Sequence, residues 1–397
     1  MQTKGAVACG HHQTAQAAAH ILSEGGNAFD AVVAAHFAAC VVEPVLASLG
    51  GGGFLLAHPG AGPTILYDFF AHTPREKLPV EDIDFFPIVA DFGETTQEFH
   101  IGMGSIATPG AVKGMFTIYE DLCTLPLAEL MAPAINLAKQ GAVVNEFQAY
   151  ILDIIKPIYQ SNAESLQIYR SQKTQKDTQT LVNSGELLKQ PALAATFEAL
   201  VAEGEELFYQ GDIAQSVVKN CTENGGFLRR EDFNNYQVIK RKPLQLSYRN
   251  HSIFTNPPPS SGGLLIAFAL KLLETRDFST IDPESQFYID RLSYIMYLTN
   301  KARIENSLQS GNIDKEKLLD KGYLDMYCQQ VQNRFHFSRG TTHISVIDES
   351  GNVASLTVSN GEGSSFVAPE TGIMLNNMLG EEDLNPQGFH QWKPNQR

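Results

Sequence analysis

Gly340-Thr341-Thr342-His343-Ile344-Ser345-Val346-Ile347-Asp348, running through Glu349 to Asn352 into Val353-Ala354-Ser355-Leu356-Thr357-Val358-Ser359, alternates polar and apolar residues as a β-hairpin does. With the turn centred near Ser350, and Gly351 and Asn352 supplying the turn chemistry, Thr341 falls opposite Ser359, His343 opposite Thr357 and Ser345 opposite Ser355. Ile344, Val346, Ala354, Leu356 and Val358 then form an inward-packed apolar face. The other face is rich in hydroxyls and free for chemistry. These residues alone suit an ordinary half-buried hairpin equally well, since Thr and Ser are common in strands. The rest of the chain has to decide.

The 397 residues, 43% hydrophobic and 18% charged, are those of a folded globular chain large enough for one big domain or two. A net charge of -15 argues against a nucleic-acid partner, which needs clustered Lys and Arg. No run of about 18 apolar residues occurs, so no membrane span is expected. The first residues, Met1 to Cys9, lack the apolar core of a signal peptide, and the chain as given is expected to be cytoplasmic. The five cysteines (Cys9, Cys40, Cys123, Cys221, Cys328) are scattered without metal-ligand spacing and read as small buried residues.

Thr14 is placed to cap a helix that Gly25-Gly26 stops, and Asn27 to cap a second, from Ala28 to about Val42, ended by Pro44. This second helix is small and apolar on every side, which predicts complete burial. Leu49 to Phe54 holds four consecutive glycines, a strand Phe54–His58 follows, and another runs from Thr64 to Phe70. A phosphate cradle is disfavoured there, because no Lys-Ser or Lys-Thr follows and the next element is a strand. Helices are expected at Ala111–Glu120, Pro126–Gln140 (kinked at Pro133), Leu264–Leu273 and within Pro283–Asn333, with strands between Lys242 and Phe254.

Six stretches in order resemble the gamma-glutamyltransferase family of N-terminal-nucleophile hydrolases: Glu24 to Ala31, Leu49 to Phe54, Thr108-Pro109-Gly110, Asn256 to Gly263, Thr341-Thr342-His343, and Gly372 to Asn377. The resemblance implies an α+β fold, the αββα sandwich of two antiparallel sheets between helical layers, incomplete here at the C-terminus. It also implies a precursor that cuts itself between Gly340 and Thr341. The parts would be a large-subunit-like segment, 1–340, and the start of a small-subunit-like segment, 341–397, in one domain. A threonine hydroxyl is a poor nucleophile at neutral pH, but a free α-amino group on the same residue, with a pKa near 8, can act as its base. Only an N-terminal threonine has that base, and cleavage would supply it.

By the same resemblance Thr341 is the nucleophile, and Thr357 and Ser359 are its hydroxyl-bearing partners, with serine at 359 where threonine is usual. Asn360, Glu381, Glu382 and Asp383 fall where relatives bind the substrate. The implied activity is acyl transfer from a gamma-glutamyl or related amide compound, glutathione-like, to an amino acid, a peptide or water. It calls for no cofactor and no metal. His343 is expected to be structural, since the amine supplants it as base.

Three departures stand against this pattern. Phe70 occupies the place of the arginine that grips the substrate carboxylate, with Arg75 as a possible substitute; Phe cannot make the bidentate pair that Arg makes. The Asn360–Ser365 loop is about two residues short, a turn-length difference, and Met378 stands where glutamine is usual. Relatives also continue past Arg397 through a Ser-Ser substrate segment and a Gly-Gly oxyanion segment. The chain would then be a fragment or split product whose remainder is a separate chain, or a degenerate copy. Two readings stay open: an autoprocessed gamma-glutamyl or related amide acyltransferase/hydrolase, or a non-catalytic remnant or subunit that needs a partner or serves only as a binding module.

Overall fold

The computed structural model describes residues 4–92, 96–173, 179–274, 282–305, 319, 324, 341–382, 384, 385 and 388–397. Gly340, Asp383 and Cys328, the exit segment before Thr341, and most of the helical stretch expected beyond residue 305 lie outside the described residues.

The organising element is a six-stranded sheet. Its strands are β1 (Gly5–Cys9), β2 (Gly52–His58), β3 (Ile65–Phe69), β4 (Ile239–Arg241), β5 (Thr342–Asp348) and β6 (Val353–Ser359), in the order β1-β5-β6-β2-β3-β4. β5 therefore lies inside the sheet, antiparallel to both β1 and β6. The expected register holds, with His343 opposite Thr357 and Ser345 opposite Ser355. The ladder ends at Thr342–Val358, so the Thr341–Ser359 pair lies one step beyond it. Ile344, Val346, Ala354, Leu356 and Val358 are all at most 2% exposed, as alternation requires.

That apolar face packs on helices. α1 (His12–Ser23) lies along β1, α2 (Ala28–Val42) covers β5 and β6, and α3 (Ala111–Leu122) meets β2. Behind α2 stand α4 (Leu127–Gln140) and then α5 (Pro191–Glu203). Every residue of α2 is buried, because the sheet takes one side and helices take the others. Asn27 starts α2 with a capping box: its side chain accepts from the Phe29 and Asp30 amides, and Asp30 returns a bond to the Asn27 amide.

The cap of α1 is His11, whose Nδ1 accepts from the Gln13 amide at 3.2 Å, and not Thr14. Thr14 sits inside the first turn, fully buried, because its hydroxyl is drawn to Glu43 on α2. Of the cysteines, Cys40 and Cys221 are buried as expected, whereas Cys9 and Cys123 are partly exposed.

The glycines at 50–53 are a seam. A Cβ on Gly50, Gly51 or Gly53 would stand 2.3 Å from the carbonyl oxygens of Met374, Ser359 and Thr357 respectively. Backbones thus pass closer there than any side chain permits.

The described chain divides into two compact units, residues 1–63, 67–240 and 340–397 in one, and 64–66 and 241–339 in the other. The second has its own core. Within it the hairpin Leu244–Tyr248/His251–Thr255 and the helices Ser261–Glu274 and Gln286–Glu305 enclose Leu246, Leu264, Phe268, Tyr294 and Leu298. No helix among the described residues is long and apolar enough to cross a membrane.

The turn between β5 and β6 hangs on Asp348. Its carboxylate accepts from the Ser350 amide (2.9 Å), the Asn352 amide (3.0 Å) and side chain (2.6 Å), and the Ala28 amide at the start of α2 (2.9 Å). Burial alone would push its carboxyl up, but the bonds from Asn352, Ala28 and Ser350 outweigh it and hold the group below the ordinary carboxylate range. A depressed acid contributes stability above its unfolded pKa, about 3.9, and loses it as pH falls through the folded value. Asp348→Asn should therefore unfold at lower denaturant than wild type at pH 7, with the gap narrowing below about pH 4; a gap constant with pH would refute this.

Candidate active site

Strand alternation turns Thr341 and Thr342 to opposite sides. Thr341 is exposed, whereas Thr342 is 2% exposed and its hydroxyl donates to Glu43 Oε1 at 3.2 Å. The other Glu43 oxygen accepts from Thr14 at 3.0 Å. Glu43 itself is the C-cap of α2 and 2% exposed. Burial raises its pKa, against the lowering effect of the two threonine bonds. The hairpin pattern pointed to the open face and missed this carboxyl below it. The available signal was an acid closing a buried helix whose last turn is otherwise apolar.

On the open face, His343 Nδ1 lies 2.7 Å from Thr357 Oγ1 and its Nε2 lies 3.0 Å from Ser345 Oγ. Burial lowers the histidine pKa. The ring is thus a cross-strand tie, and Thr357 is engaged with it.

Ser359 ends β6 opposite Gly52, and its hydroxyl accepts from the Gly361 amide at 3.1 Å. Asn360 follows at 1% exposure, with neither its amide oxygen nor its amide nitrogen hydrogen-bonded. A buried amide without partners is costly unless something fills its site. Asn377 holds this loop, its Oδ1 accepting from the Glu362 (2.9 Å) and Gly363 (3.2 Å) amides. A Cβ on Gly361 would fall 2.1 Å from that oxygen and 2.6 Å from Glu381 Oε1, so loop and carboxylate lie in close contact. Of the acids expected to bind substrate, Glu381 reaches this loop and is half-buried; Glu382 is exposed, and Asp383 lies outside the described residues.

Phe70 is stacked on Phe54, ring centroids 5.4 Å apart, and Phe54 pairs with Thr357 in the sheet. Phe70 also packs against an apolar cluster of Met378, Leu379, Ala71, Ala107, Phe227 and Trp392. The two sites where relatives were expected to carry Arg and Gln, 70 and 378, thus belong to one hydrophobic patch. Arg75 is exposed. The guanidinium that does reach this region is Arg397, which sequence reasoning missed: Nη1 pairs with Asp68 Oδ1 at 3.1 Å and the group lies 4.9 Å from the Tyr236 ring centre. Among the described residues no cluster of His, Cys, Asp and Glu could hold a metal ion.

Helices packed on the apolar face of an antiparallel sheet fit the αββα fold of the N-terminal-nucleophile hydrolases, which the similar solved structures share. The fold matches the crystal structure of Helicobacter pylori gamma-glutamyltranspeptidase with a TM-score of 0.72, at 27% identity, over 85% of this chain and 94% of that one. The family model for gamma-glutamyltranspeptidase matches residues 14–397, and the chain belongs to that family of enzymes. The glutathione hydrolase proenzyme of Escherichia coli (strain K12) is 32% identical, aligned over 96% of this chain and 67% of its own length. The acylase ACY 1 proenzyme of Pseudomonas sp. (strain V22) is 29% identical over 97% of this chain and 70% of its own.

His343→Asn should leave the chain folded, costing about 1 kcal/mol for the lost cross-strand bonds, and should leave Thr341 chemistry measurable. Denaturation and intact mass check this; loss of all Thr341 chemistry in a folded variant would make the imidazole a base.

Proposed function

We propose that this chain is a self-processing amide acyltransferase or hydrolase whose nucleophile is Thr341. The observation that carries the reading is the split between neighbours: Thr342 is buried and anchored, while Thr341 stands exposed at the strand end, one step beyond the ladder, on the side of Ser359. Attack of the Thr341 hydroxyl on the Gly340 carbonyl would form an ester and break the Gly340–Thr341 C–N bond, which frees the Thr341 amine. Water would then cleave the ester to release residues 1–340 with a Gly340 carboxylate and restore the Thr341 hydroxyl. That amine then takes the hydroxyl proton as the oxygen attacks a substrate amide. An acyl ester forms, the leaving amine departs with the proton, and an amino acid, peptide or water takes the acyl group. Ser359 orients the nucleophile, and Asn360 and Glu381 bind the donor. Thr357, held by His343, supports the strand pair.

Recognition of the acyl group follows from Phe70 and Met378. An apolar patch cannot grip a carboxylate as a guanidinium does, so the favoured donors are amides with apolar acyl groups, and gamma-glutamyl compounds are weaker. An acylase and a glutathione hydrolase both stand among the relatives, so the family is not confined to one named substrate.

Two measurements test the proposal. Purified wild-type chain should separate into a fragment ending at Gly340 and one beginning Thr-Thr-His-Ile-Ser, Thr341→Ser should do the same, and Thr341→Ala should stay whole. Undiminished cleavage in Thr341→Ala, or another first residue, would remove Thr341 from the mechanism. Separately, kcat/KM for an aliphatic acyl anilide should exceed that for the gamma-glutamyl anilide by about tenfold, and Phe70→Arg with Met378→Gln should shrink the ratio. A wild-type preference for gamma-glutamyl would overturn the assignment of the patch.

A further inference from the structure

We propose that Glu43 is a positioning residue for Thr341, acting through Thr342. The inference rests on Thr341 being the nucleophile, as argued above. Glu43 lies beneath the start of β5, where three elements meet: Thr14 from α1, Glu43 at the end of α2, and Thr342 from β5. All three residues are at most 2% exposed. The carboxyl bridges the two hydroxyls, so its removal would release the first residue of β5 from this tie to the helical layer.

The position is costly to occupy. A carboxyl at a helix C-terminus faces the negative end of the helix dipole, and burial removes its water. A leucine or methionine would satisfy packing at the apolar last turn of this buried helix, so packing does not account for an acid there. What the acid adds is direction: with an oxygen on each threonine, it fixes the rotation of Thr342. Because adjacent residues of a strand point to opposite sides, fixing Thr342 inward fixes Thr341 outward, toward the side of Ser359. Space around it is tight, since a Cβ on Gly10 would come within 2.6 Å of Glu43 Oε1. The titratable groups that feel its charge are the thiols of Cys9 on β1 and Cys40 on α2, both shifted upward mainly by burial. Neither supplies a countercharge.

The test uses the full chain labelled with 13C in threonine methyl groups, with the Thr14, Thr341 and Thr342 signals assigned by their loss in the single Thr→Ser variants. In wild type all three methyls should titrate with one midpoint above the ordinary glutamate value of about 4.3. Glu43→Gln, which keeps an acceptor and removes the charge, should flatten all three. A Thr341 signal that does not follow the Thr342 midpoint in wild type, or that titrates unchanged in Glu43→Gln, overturns the proposal. The wild-type titration decides even if that variant fails to fold. The kinetic arm reads the pH profile of hydrolysis: Glu43→Gln should lower kcat about tenfold with little change in KM and remove the inflection that coincides with the Thr342 methyl midpoint while leaving the one set by the Thr341 amine, and an unchanged profile would also overturn the proposal. Absence of cleavage and hydrolysis in wild type, with the methyl titrations as expected, would refute Thr341 as nucleophile while upholding its coupling to Glu43.

Discussion

The whole arrangement depends on one constraint, that β5 is an inner strand whose apolar side chains have a single place to go. Ile344 and Val346 are committed to the α2 layer, and that fixes the facing of every other residue on the strand. A slip of one residue would bury the face carrying His343 and Ser345 and expose the core. Asp348 guards against the slip from the other end, because it locks the turn and the first amide of α2 in one set of bonds. The outward facing of Thr341 is thus set by packing that has no chemical role.

The parts of this fold that were legible in the sequence are those set by local period. The hairpin register, the burial of α2 and its Asn27 cap follow from spacing along a few residues, and the structure has them as read. What was not legible depends on partners far away in the chain. Thr14 looks like a helix cap until Glu43, on the next helix, claims its hydroxyl. Arg397 and Asp68 are separated by 329 positions, and neither sequence context announces the pair. Of the expected site residues, Ser359, Asn360 and Glu381 converge on one loop, whereas exposed Glu382 had the same motif-level claim as Glu381. A run of acids says that carboxylates are present; only the turn they sit in decides which one faces inward.

Adjacent asparagines make the same point about identical side chains. Asn376 is saturated by backbone, donating to the Gly50 and Ala107 carbonyls and accepting from the Ala107 amide, so it joins the glycine seam to the chain ahead of α3. Asn377 instead organises the loop after Ser359. Asn360, by contrast, is buried with neither side-chain polar atom hydrogen-bonded.

The glycine seam divides the molecule into positions that can drift and positions that cannot. At 50, 51 and 53 even one added carbon would meet a carbonyl oxygen of the strand or turn opposite, and relief would require prying apart the frame that carries Ser359. At 70 and 378 an apolar side chain of similar volume can be exchanged at the cost of repacking one small cluster. Sterics therefore constrain this architecture unevenly: a single methyl is refused at the seam, where whole side chains can be exchanged one layer away.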